Sequence, residues 1–147
     1  MSIETLKSAL PEEAKDLRLN LGSVLSGGPL SPAQSWGIAL ATALAIGEPQ
    51  TIRAIAADAA AQTTPEVTRA AKIAASLMAM NNVYYRFTHL VEAKDYAAMR
   101  AGLRMNAMMN PGVPAAAFEL MSLAVSAGHG CGMCMDSHEK AVRKHGL

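Results

Sequence analysis

The chain has 147 residues, 51% of them hydrophobic but only 4% aromatic, with a formal net charge of +1. That length suits one domain with a real hydrophobic core, and the near-neutral charge without a basic cluster argues against a nucleic-acid surface. Alanine is abundant and there are ten methionines; both favour helix, small side chains let helices approach closely, and no segment alternates with strand period. The expectation is a single all-α domain over residues 1–147.

The opening "MSIETLKSALPEEAKDL" mixes charged and apolar residues and does not read as a signal peptide. The uncharged run from Leu30 to Gly47 contains Ser, Gln, Pro and Gly, and it falls short of the ~20 apolar residues of a spanning helix. A soluble, cytoplasmic protein without a membrane segment is expected. In that reducing compartment a lone pair of close cysteines is a poor structural staple, and the loop it closes is too short to constrain the unfolded chain much.

"GGPLSPAQ" marks a break, with Ser31 as N-cap, Pro32 at the first helical position and Gln34 completing a capping box. A helix is predicted from about Pro32 to Ile46, ending at Gly47, and another over "PQTIRAIAADAAAQ". Thr64 before Pro65 is a second cap-and-proline start. Val67, Ala70, Ala71, Ala74, Leu77 and Met78 then recur at helical spacing, predicting a long central helix that reaches toward Leu90. "PAQSWGIALATALAIG" (32–47) aligns without gaps on "PAAAFELMSLAVSAGH" (114–129), each followed by another helical segment. The pattern suggests two related helical hairpins. His89 reads as a core or interface residue and His145 as a helix C-terminal side chain.

The chemistry concentrates in "HGCGMCMDSHEK", which holds both cysteines of the chain. A helix beginning near Cys131 and ending before Gly146 places Cys131, Cys134 and His138 on one face, at i, i+3 and i+7. Cys134 and His138 are then one turn apart, with Cβ atoms about 5–6 Å from each other. The helix start supplies free N–H groups and a positive dipole end, both of which favour thiolate. Three readings follow. A redox dithiol with an adjacent proton acceptor fits the spacing best. An inert buried pair is the second. A zinc knuckle, with His129 or His145 as fourth ligand, is the third, though one continuous helix frames four tetrahedral ligands poorly. Glu119 is the one carboxylate of "FELMSLAVSAG"; if the chain turns at Gly128 to Gly130, it faces the following helix and can pair with His138.

The segments "SLMAMNNVYYRFTHLVE", "LRMNAMMNPGV", "FELMSLAVSA" and "GCGMCMDSHEK" together resemble the alkyl hydroperoxidase D family of alkyl hydroperoxide reductases, within the carboxymuconolactone decarboxylase-like superfamily. The resemblance implies an all-α homotrimer acting as an antioxidant thiol peroxidase and disulfide reductase. It would take electrons from dihydrolipoyl groups of a lipoylated acyltransferase, reduce alkyl hydroperoxides and serve a partner peroxiredoxin. It further implies that Cys134 is peroxidatic and passes through sulfenic acid, that Cys131 resolves it, and that Glu119 and His138 relay the proton. The position of His138 one turn from Cys134, but two from Cys131, agrees with that division of roles. No tightly bound cofactor or metal is expected. This sequence departs from the family at Met133, where some members have histidine, and at His129, often asparagine in relatives. The family typically continues beyond the position of Leu147 into another helix or so, and the expectation is that this C-terminal segment is missing here. A lactone decarboxylase of the same superfamily has no need of two thiols, and a zinc-bound helical assembly module is the non-enzymatic alternative.

Overall fold

A computed structural model describes Ser2–Leu147, and among these residues the chain is helical with no strand. The elements are α1 (Ile3–Ala9), α2 (Lys15–Ser26), α3 (Pro32–Ile46), α4 (Pro49–Gln62), α5 (Pro65–Leu90), α6 (Asp95–Ala98), α7 (Ala115–Gly128) and α8 (Gly132–Lys144). Short 3-10 turns precede α2 and lie in the loop before α7. No helix among the described residues is long and apolar enough to cross a membrane.

Local chemistry sets the starts. Ser31 Oγ accepts from the Gln34 amide while Gln34 Oε1 accepts from the Ser31 amide, so the capping box of α3 is closed in both directions. Gly47 ends α3 at φ 81°, a left-handed conformation that glycine adopts without a Cβ penalty. Glu48 caps α4, accepting from the Gln50 and Thr51 amides at 2.9 and 2.6 Å. Thr64 caps α5, and the 26-residue helix that follows ends at Leu90 as its pattern predicts. α1 and α2 were not foreseen; Ser2 caps α1, its Oγ accepting from the Thr5 amide at 3.3 Å, whereas α2 has no side-chain cap. The Ile3 amide donates to Asp58 at 2.7 Å and ties α1 to α4.

α3 packs against α4, α5 and α7, and α5 packs in turn against α7 and α8. The core joins Leu40, Ile55, Met78, Phe118, Met121 and Val125 to a set of buried alanines. Burial of each large side chain contributes about 1.5–3 kcal/mol, while the alanines set how closely the helices approach. Gly37 shows the tightness: a Cβ there would lie 2.5 Å from Met121 Cε and 2.9 Å from Val67 Cγ1.

The two aligned segments are α3 and α7, each packed on the helix that follows it and on one another. Their starts differ. Pro32 is the first helical residue behind a closed capping box, whereas Pro114 is itself the N-cap of α7 and supplies no side-chain cap. In the gapless alignment Glu119 falls opposite Gly37, so the hairpin of α3 and α4 lacks a carboxylate where α7 carries one. Of the two readings of His89, core or interface, the first is corrected. His89 is exposed in this chain and is no core residue, because it lies on the outer side of the last turn of α5. α8 begins near Cys131 and ends before Gly146 as expected: Cys131 is its N-cap, with extended backbone (φ −91°, ψ 92°) before the first turn.

Candidate active site

α7 ends at Gly128, and Gly130 takes φ 68° in the turn that follows. The turn sends the chain back along α7 as α8, which brings residues 19 apart into contact. Cys131 and Cys134 are joined as a disulfide. Cys131 is fully buried at 0% exposure, and its Sγ accepts from the Cys134 amide at 3.4 Å, serving as the side-chain cap of α8. Cys134 is 7% exposed. The glycines of the turn are exposed, whereas both cysteines are buried.

His138 is buried one turn further along α8, and its Nδ1 lies 2.7 Å from Glu119 Oε2. Glu119 itself is partly buried. The predicted pairing of these two residues across the hairpin is thus present. The other ring nitrogen, Nε2, lies 3.2 Å from Met78 Sδ on α5. Both nitrogens therefore face acceptor atoms. With N–H on each, the ring donates to Glu119 through Nδ1 and to the thioether through Nε2.

Cys134 and His138 share a cavity of about 350 Å³, within the range of small-molecule sites. Met78, Asn81 and Tyr85 of α5 line it, with Met133 of α8, and the loop before α7 adds Met105 and Met108. Its wall is therefore mostly apolar and rich in pliable thioether side chains. Met133, at the position where family members can carry histidine, is 42% exposed beside this cavity. Cys131 does not line it.

His129 belongs to a separate polar cluster. Its Nδ1 lies 3.0 Å from Asn82 Nδ2, Ser126 Oγ donates to Asn82 Oδ1 at 3.1 Å, and Arg86 donates to the His129 carbonyl at 3.1 Å. The Cys131 amide donates to the Ser126 carbonyl at 3.1 Å. α5 thereby clamps the turn that carries the first cysteine. His145 is exposed at the C-cap of α8, as its place in sequence suggested. The zinc alternative finds no support in this arrangement: the two sulfurs are bonded to each other, and no group of three potential His, Cys, Asp or Glu ligands converges among the described residues.

Sequence reasoning missed the contribution of α5. Met78, Asn81, Asn82, Tyr85 and Arg86 stand within two turns of one another, yet only Met78 was marked, and then as core. One signal could have found them. Asn81 and Asn82 are two adjacent amides on the otherwise apolar stripe of a buried helix, three and four residues after Met78.

These features define a dithiol–disulfide protein on an all-α scaffold, with a histidine–carboxylate pair beside the second sulfur. The family model of carboxymuconolactone decarboxylases matches residues 94–147. The whole chain is 56% identical to the alkyl hydroperoxide reductase AhpD of Maricaulis maris, covering 85% of that protein. It is 55% identical to that of Hyphomonas neptunium and 54% to that of Streptomyces coelicolor, covering 82% and 83% of them. The chain belongs to the AhpD family of alkyl hydroperoxide reductases.

Proposed function

We propose that this chain is a thiol peroxidase and disulfide reductase of the antioxidant type, working through Cys134 and Cys131. The observation that carries the reading is the shared cavity of Cys134 and His138, with Glu119 on Nδ1 of the ring. In the reduced protein, His138 takes the Cys134 proton, directly or through one water, and Glu119 orients the ring and balances its charge. The Cys134 thiolate attacks a hydroperoxide oxygen, so an S–O bond forms, the O–O bond breaks, and the alkoxide leaves as alcohol after taking a proton. Cys131 then attacks the sulfenic sulfur, closing the disulfide and releasing water. Two thiols of a dihydrolipoyl group return two electrons by exchange, and the two cysteine thiols re-form.

The names of the relatives support hydroperoxide as the oxidant. A lipoylated acyltransferase as electron source and a partner peroxiredoxin as recipient follow from the family resemblance. Assembly as a homotrimer is part of the same reading. It is supported by the exposed apolar stripe of Val83, Phe87 and Leu90, spaced at i, i+4 and i+7 on α5. The deciding experiment counts free thiols before and after one equivalent of alkyl hydroperoxide, then after dihydrolipoamide, with metal analysis of the same sample. Two thiols lost and two regained are expected. Thiols untouched by peroxide overturn the reading, and stoichiometric zinc bound by the reduced thiols favours the assembly module instead.

A further inference from the structure

Asn81 lies on α5, three residues after Met78, and is 5% exposed. Its Nδ2 donates to Met105 Sδ at 3.0 Å. Turning the amide over would set its oxygen against the thioether, acceptor against acceptor, so this orientation is the satisfied one. The oxygen is then left without a partner. Asn81 Oδ1 is buried, and no group among the described residues donates to it. An unpaired buried acceptor is costly, and native proteins keep few of them. This one belongs to a residue lining the cavity of Cys134 and His138, whose other walls are largely methionine.

We propose that Asn81 is a substrate-binding residue, whose Oδ1 accepts the hydrogen bond of a hydroperoxide O–H while the alkyl chain lies among the methionines. The proposal rests on the peroxidase reading for its chemistry. A hydroperoxide has one donor, the hydrogen on its terminal oxygen, which is the oxygen that a thiolate attacks. Holding that hydrogen fixes the terminal oxygen near Cys134 and leaves the alkyl-bearing oxygen free to depart. The Cys134 sulfur loses two electrons as S–O forms, the peroxide gains them as O–O breaks, and the departing alkoxide takes a proton from the His138 imidazolium. Asn81 neither gives nor takes a proton. It turns an apolar slot into one that reads a hydroxyl at one end.

The test separates the binding claim from the catalytic reading. The disulfide form is titrated with n-pentanol, which carries an O–H donor, and with butyl methyl ether, which has the same number of heavy atoms and no donor. Wild-type protein should bind the alcohol about fivefold more tightly, the factor of one net hydrogen bond, with the Asn81 side-chain amide signals in a nitrogen-15 spectrum moving as it binds. The Asn81→Leu variant should lose the preference. In turnover, Asn81→Leu should lower kcat/KM for an alkyl hydroperoxide by about the same factor. No alcohol preference in the wild type, unmoved Asn81 signals, or a preference kept in Asn81→Leu each overturns the proposal. The wild-type titration decides it even where the variant does not fold. A wild type that consumes no hydroperoxide overturns the peroxidase reading, and the alcohol titration still judges Asn81.

Discussion

Removing the negative charge of Glu119, without removing its shape, tests the relay. Glu119 Oε2 and His138 Nδ1 are 2.7 Å apart, the length of a charge-assisted bond, in a region where His138 is buried and Glu119 partly so. Hydrogen bonds to a charged partner contribute about 1.5–3 kcal/mol, and those between neutral groups about half as much. Glu119→Gln keeps a neutral acceptor, so the loss should be about 0.75–1.5 kcal/mol of transition-state stabilisation. At 1.36 kcal/mol per factor of ten, the rate falls roughly four- to twelvefold. Glu119→Ala forfeits the whole bond, and the same conversion gives a fall of roughly 12- to 160-fold. The assay is stopped-flow oxidation of the reduced protein by an alkyl hydroperoxide, with far-ultraviolet circular dichroism to verify that both variants stay helical. Glutamine and alanine variants that react as fast as wild type, or equally slowly as each other, refute the graded role of the charge.

The two cysteines should behave differently when separated: Cys131→Ser should accumulate a trappable sulfenic acid on Cys134, which lines the cavity, while Cys134→Ser should form little on the fully buried Cys131. Faster sulfenic acid formation in Cys134→Ser would reverse the roles. Gly37→Ala should destabilise the protein by about 1–3 kcal/mol in urea unfolding, the usual cost of overpacking, since its methyl group would collide with Met121 and Val67; an unchanged midpoint counts against the close α3–α5–α7 packing. The Gln50 amide, then that of Thr51, holds the Glu48 carboxyl below the usual carboxylate range. A depressed carboxyl stabilises the fold above its unfolded titration and loses that contribution as pH falls through the folded one. The melting difference between wild type and Glu48→Gln should therefore be largest at neutral pH and vanish in acid, and a difference that persists in acid would show that the charge is not what caps α4.

Much of this architecture was legible because it is written in nearest-neighbour signals. The Ser31–Gln34 box, Gly47 and the Thr64–Pro65 start are local chemistry, and α3, α4 and α5 have the predicted limits. The helix face of Cys134 and His138 follows from helical spacing alone, and the pairing with Glu119 needs only one turn of known position. What local pattern could not supply was α5 as a wall of the site. Met78 reads as core by period, and it is buried, yet its sulfur also touches His138. Periodicity says which side of a helix faces inward, and not which atom waits there. The core reading of His89 fails for a related reason: the last turn of α5 has already left the core.

The contacts of the site close over very unequal lengths of chain: 3 residues for the disulfide, 19 for Glu119 and His138, 44 for Asn82 and Ser126, and 60 for Met78 and His138. Loop-closure entropy rises with each step, though slowly. Translation orders them more sharply. A ribosome adding about 5–20 residues per second makes α5 and then takes roughly 2–10 s more to reach His138. During that interval α5 can already pack on α3, while Met78 has yet to meet the ring of His138. The sulfur pair needs nothing but its own turn to be brought together. Its surroundings are another matter, for α5 was synthesised long before and has to be met by α8. A nascent protein therefore has its sulfur pair before it has the wall beside it, and docking of α8 onto α5 brings the two together.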